Sequence, residues 1–137
     1  MKPETFSLPW PNSDNNHHIP VAVRSKRFNG HVGKIVLSKD AASYRALVKM
    51  LLGIRSDKRR WSCPLDISID LFPPRRGCDT TNYWKSLCDA LTHAGVWDDD
   101  VLVVEARARR HDPVGKKKSS VTVLIEEHKG EQDGTGT

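Results

Sequence analysis

The sequence has few cysteines, no long apolar run and no excess of acid, and each shortage excludes something. Only Cys63, Cys78 and Cys88 occur in 137 residues. A chain of this length can bury most of its apolar surface, so three scattered thiols read as reduced cysteines of a cytoplasmic protein, not as a disulfide framework. Together with His93 they lack the short paired spacings of a zinc site, so structural zinc is not expected from them. Apolar runs such as Val101 to Val104 fall far short of a bilayer span, and the N-terminus carries acid, Pro and Trp where a signal peptide needs an apolar core. The expected protein is soluble, unprocessed and without a membrane partner. No internal repeat is present. Aromatic residues make up 7% of the chain, and Trp10, Trp61, Trp84 and Trp97 read as core or dimer packing rather than base-stacking platforms.

Positive charge is what the chain does have. Lys and Arg number 22 against 17 Asp and Glu, a net +5 with a pI near 9.3. The positives fall in clusters, at Arg24 to Arg27, Arg55 to Arg60, Arg75-Arg76, Arg107 to Arg110 and Lys116 to Lys118. Clustered basic charge on a small domain is the electrostatic footprint of a polyanion binder, and nucleic acid is the first partner it suggests.

The order of elements indicates one α+β domain over residues 1–129, followed by a disordered tail at 130–137. Thr5 to Leu8 read as a short strand. Val21 to Phe28 and Gly33 to Leu37 read as two strands around Asn29-Gly30. Helical spacing then runs from Lys39 to Leu52, with Ser38 as N-cap and Gly53 as stop. Residues 54–62 read as a solvated loop. Leu65, Ile67, Ile69 and Leu71 alternate with Asp66, Ser68 and Asp70, the period of a half-buried strand ended by Pro73-Pro74. A second amphipathic helix is expected from about Thr81 to Ala94, and two further strands at Val101 to Ala106 and Ser120 to Ile125. The expected fold is a small mixed β-sheet with two amphipathic helices packed on it.

The segment from Pro73 to Lys85 joins an inner strand to a helix, where side chains can be held rigidly enough for chemistry. Asp79 suits a helix N-cap or first-turn acid, and that role is compatible with a catalytic one. Asp79, Asn82, Lys85 and Asp89 would share one polar helix face. Asp98-Asp99-Asp100 place three mutually repelling carboxylates before a strand, which is either a turn or a site for a hard cation. Asp79 can meet the triplet within one chain only if residues 95–100 run back along the helix; otherwise a two-fold partner supplies one of the groups. Gly115-Lys116-Lys117-Lys118-Ser119 lacks the first glycine and the following helix of a phosphate loop, so no nucleotide cofactor is expected. His17-His18 follow a loop and read as an exposed pair or as a phosphate contact.

The residues Arg75-Arg76-Gly77-Cys78-Asp79-Thr80-Thr81-Asn82, with Lys85, Asp89-Ala90-Leu91-Thr92, Ala94-Gly95-Val96-Trp97 and Asp99-Asp100, resemble the signature of the RusA-like Holliday junction endonucleases. Leu8-Pro9-Trp10-Pro11, Ser13, Asn15, Ser38 and Tyr44-Arg45 match as well, so the resemblance covers roughly residues 5–127. It implies a homodimeric, Mg²⁺-dependent endonuclease that binds four-way DNA junctions and nicks two strands symmetrically, in recombination and repair. It implies catalytic roles for Asp79, Lys85 and Asp100, and metal binding by Asp79, Asp99 and Asp100. DNA contacts are expected from Asn15, Arg24, Lys26, Arg27, Arg75, Arg76, Lys116, Lys117 and Lys118, the three lysines reading equally well as a solvated hairpin turn. The sequence departs from the pattern at Thr81, where a second motif aspartate is expected, and at Asn12, where proline is. A threonine hydroxyl can hydrogen-bond a water but carries no charge. Either Asp99 or Glu105 compensates, or the chain binds junctions and cuts them poorly.

Overall fold

In the computed structural model the described residues are 2–13, 18–25, 30–53, 59–78 and 80–130. They form a four-stranded sheet in the order β1-β6-β4-β5, a separate two-stranded sheet and two helices. The strands are β1 (Glu4–Pro9), β2 (His18–Ser25), β3 (Gly30–Leu37), β4 (Leu65–Phe72), β5 (Val103–Arg110) and β6 (Ser120–Glu127); the helices are α1 (Lys39–Leu52) and α2 (Trp84–His93). β4 pairs antiparallel with β6 and parallel with β5, and β6 pairs antiparallel with β1. The α+β class with a mixed sheet and two helices agrees with the sequence reading. The 130–137 tail falls outside the described residues from 131 onward.

The alternation of β4 explains the layering. Leu65, Ile67, Ile69 and Leu71 are buried, while Asp66, Ser68, Asp70 and Phe72 face the other way and stay half-buried. Val121, Val123 and Ile125 of β6 extend the buried face. Against it pack Tyr44 and Val48 of α1 and Leu87, Cys88, Ala90 and Leu91 of α2. Each fully buried Leu, Ile or Val contributes about 1.5–3 kcal/mol of burial free energy. α1 has the predicted bounds: the Ser38 side chain accepts from the Ala41 N–H at 3.1 Å, and Gly53 adopts φ +71° beyond the last turn. Burial pushes the Tyr44 hydroxyl far above its ordinary pKa, and it donates to the Pro9 carbonyl at 2.7 Å, tying α1 to the end of β1.

Several boundaries differ from the sequence reading, among them the start of β2 at His18 rather than Val21 and of β3 at Gly30 rather than Gly33. α2 begins at Trp84 rather than Thr81, because Tyr83 is drawn into the core and takes the N-cap position with no side-chain cap. Asn82 therefore precedes the helix, and the four-residue polar face reduces to Lys85 and Asp89. β5 begins at Val103, since Asp99 accepts from the Val101 N–H at 3.2 Å and winds Asp100–Leu102 into a 3-10 turn. β5 then runs on to Arg110 as an exposed edge strand. Within the expected loop at 54–62, Trp61 is completely buried.

Trp61 and Trp97 anchor the segment that follows α2. They form an isolated parallel bridge: the Trp61 N–H donates to the Val96 carbonyl at 2.9 Å, and the Asp98 N–H to the Trp61 carbonyl at 3.1 Å. The Trp97 indole donates to Thr92 Oγ1 at 2.7 Å, and the Trp61 indole to Glu4 Oε1 at 2.9 Å. Gly95 makes the reversal at φ +79°, a conformation that strains any residue with a Cβ. Both Trp61 and Trp97 thus serve as core, as the sequence indicated.

Candidate nuclease site

Residues 95–100 leave α2 and fold back along it, so that Asp100 comes within electrostatic range of Asp89, midway along the helix. The Asp100 carboxyl is raised above its ordinary 3.8, first by burial, then by its hydrogen bond with Asp99 and by the negative charges of Asp99 and Asp89. Asp89 is held by α1: Arg45 Nε and Nη2 donate to its two oxygens at 2.8–3.0 Å, a bidentate pair with both side chains about 30% exposed. His93, one turn further on, is pushed below its ordinary pKa by burial and by the Arg45 and Lys49 cations, with Asp89 acting in the opposite sense. Lys85 is exposed on the first turn of α2, one turn before Asp89. Asp79 lies outside the described residues, between Cys78 and the half-buried Thr80; Thr81 is exposed.

The Arg45–Asp89 clamp escaped the sequence reading as a functional pair. The partners are 44 residues apart and on different helices, so no local spacing announces them. Arg45→Met would remove the guanidinium that pairs with Asp89. A loss of about 1–2 kcal/mol is expected, reduced from a fully buried pair by solvent screening. Chemical denaturation of the variant measures it.

The basic residues gather at the other end of the sheet. The Val114 N–H donates to the Pro73 carbonyl, the His111 N–H to the Leu71 carbonyl, and the Arg110 guanidinium to the Arg76 carbonyl. These bonds hold Arg75 and Arg76 against the connection that carries Lys116, Lys117 and Lys118, and all five side chains are exposed. The eight residues of β5 separate this end from Asp100 by roughly 25 Å. Arg75, Arg76 and Lys116 to Lys118 therefore stand apart from the Asp99–Asp100 pair, whereas Arg60 lies 3.9 Å from the neighbouring Asp98. Arg24 lies on β2, and Asn15, Lys26 and Arg27 lie outside the described residues. Glu105, the other acid that could replace the missing aspartate, instead stands beside Asp66 and His128.

Asp99 and Asp100 offer only oxygen donors, and their crowding is what a hard cation relieves, so the pair fits Mg²⁺. Among the described residues no helix is long and apolar enough to cross a membrane.

Carboxylates beside a lysine-bearing helix, with a basic end to the sheet, are groups that suit hydrolysis of DNA, and the sequence comparison gives that class. The profile of the family described as endodeoxyribonuclease RusA matches residues 18–126, and the chain belongs to that family. A relative from Escherichia coli O139:H28, named crossover junction endodeoxyribonuclease RusA, is 33% identical over 132 residues, covering 93% of this chain and all of its own length. The protein of the same name from Escherichia coli K12 is 33% identical over 78% of this chain and 82% of its own. That of Enterobacteria phage 82 is 33% identical over 74% and 78%.

Proposed function

We propose that the protein is a Mg²⁺-dependent, homodimeric endonuclease that resolves four-way DNA junctions in the cytoplasm by symmetric nicking. The observation that carries this reading is the return of residues 95–100 along α2, which sets Asp99 and Asp100 beside the helix bearing Lys85. Asp79, Asp99 and Asp100 would hold the ion, and Lys85 and Asp100 would act at the phosphate with Asp79. Bound there, Mg²⁺ supplies charge neutralisation and activation of water. Lys85 presents a point charge to the phosphate as negative charge builds in the transition state. Arg45 keeps Asp89 paired, so that its charge is partly compensated where Asp100 must stay ionised. Arg75, Arg76 and Lys116 to Lys118 contact backbone phosphates well away from the scissile bond, which suits a substrate with diverging arms.

Incubation with labelled four-way junctions, linear duplex and RNA, with and without Mg²⁺, tests the proposal. Junction-selective, Mg²⁺-dependent nicking is expected, and its absence at protein concentrations that bind junctions would reject it. The competing reading, a junction binder that cuts poorly, rests on Thr81. Thr81→Asp restores a carboxylate at the motif position and should raise the nicking rate about tenfold or more, checked by single-turnover kinetics. Replacing Lys116, Lys117 and Lys118 together by Ala should lower the slope of log affinity against log salt by roughly 2–3, measured by titration at several ionic strengths.

A further inference from the structure

The face of the sheet turned away from the helices carries a second group of metal-ligating side chains. We propose that Asp66, Glu105 and His128 form a binding site for a divalent transition-metal ion of the zinc class, distinct from the Asp99–Asp100 pair and independent of the nuclease reading. The three come from β4, β5 and the residue after β6, and one ligand atom of each lies within 4.8 Å of the others. His128 Nδ1 stands 2.8 Å from Asp66 Oδ1, and the His128 backbone N–H is fixed on the Pro64 carbonyl at 3.0 Å.

The sheet is locally irregular in the way this cluster requires. The β4–β5 register jumps from Leu65↔Val103 to Asp66↔Glu105, passing over Val104. Without the extra residue, Val104 would stand opposite Asp66; with it, Glu105 does, and Val104 is left 53% exposed. Bulges re-aim side chains in this manner, and here the result sets two carboxylates side by side. The three residues line a cavity of about 300 Å³ that also receives Glu126, Glu127, Arg107 and Lys129. Four carboxylates thus face two lysine and arginine cations and one imidazole. Arg107 lies 3.7 Å from Glu105, too far for a good hydrogen bond.

The donor set selects the ion. Mg²⁺ favours oxygen ligands and waters, whereas Zn²⁺ and its neighbours take imidazole nitrogen together with carboxylate oxygen. A tetrahedral ion with bonds of ~2.1 Å spaces its donors ~3.4 Å apart, so the Asp66–His128 pair need open by only about 0.6 Å. Three protein ligands leave a fourth position to solvent in the cavity. Such an ion would pin the beginning of β5, the strand entered directly from Asp99 and Asp100, to β4 and β6.

Calorimetric titration of the chelator-treated, full-length protein with Zn²⁺ tests the site, with Co²⁺ absorption as a spectroscopic check. Zn²⁺ uptake at micromolar affinity or tighter is expected. It should weaken at least tenfold in both His128→Gln and Glu105→Gln, and persist in Asp100→Asn. Glu105 is exposed and His128 half-buried, and the metal-free melting curve of each variant verifies folding; if one variant fails to fold, the other decides. Absence of Zn²⁺ binding, or equal affinity in parent and folded variant, overturns the proposal, the latter result assigning Zn²⁺ to other histidines or the cysteines.

Discussion

Asp100→Asn is expected to lower the junction nicking rate by about 10² or more while leaving junction binding nearly unchanged and the fold at least as stable. The stability half of this expectation follows from the raised Asp100 carboxyl, whose first cause is burial and whose other causes are Asp99 and Asp89. A carboxyl that holds its proton more tightly in the folded than in the unfolded chain makes stability fall as pH rises from the ordinary aspartate range through the raised value. At neutral pH that loss is complete, and asparagine removes it. Melting of the variant at pH 7 should therefore occur no lower than that of the parent, and its stability should depend less on pH between the two values. Mg²⁺ should raise the melting temperature of the parent more than that of Asp100→Asn. A variant that both melts much lower and loses binding would indicate a structural role for Asp100 instead.

The second large effect concerns the device that brings Asp100 to α2. Trp97 is 1% exposed, donates to Thr92 Oγ1 and bridges to Trp61. Trp97→Ala empties that space and frees the segment between Gly95 and Asp100, at a cost of about 3–5 kcal/mol. Against a domain stability of about 5–15 kcal/mol this is a large fraction, and the melting temperature should fall by roughly 10–20 °C. Trp97→Phe keeps most of the apolar contact and loses the indole hydrogen bond, so its cost should be closer to 1–2 kcal/mol. Thermal melts of the two variants separate packing from hydrogen bonding. Nicking by Trp97→Phe, measured well below its melting point, reports how closely Asp99 and Asp100 must be held.

What was legible in the sequence was local. The alternation from Leu65 to Leu71 gave the central strand and its two faces, and Ser38 with Gly53 marked both ends of α1. The start of α2 was misplaced because Thr81 and Asn82 continue a plausible helical pattern, and only the burial of Tyr83 delays the first turn. The apolar run from Val101 to Val104 reads as the start of a strand, yet Asp99 winds Asp100–Leu102 into a turn, so β5 begins at Val103 and lies exposed at the sheet edge. For the candidate site, Asp99, Asp100 and Lys85 are named by the resemblance alone. The Arg45–Asp89 clamp and the Asp66–Glu105–His128 group were not legible, since each joins residues tens of positions apart. The distance between the basic end and the acid pair likewise depends on the parallel pairing of β4 with β5, which a linear reading of charge clusters does not contain.

The most direct test of the nuclease account is Mg²⁺-dependent cleavage of a labelled four-way junction by the parent protein and by Asp79→Asn at matched junction occupancy. The account predicts paired nicks by the parent, none without Mg²⁺, and a rate lower by about 10² or more in the variant. Cleavage undiminished by Asp79→Asn, or indifferent to Mg²⁺, would contradict it.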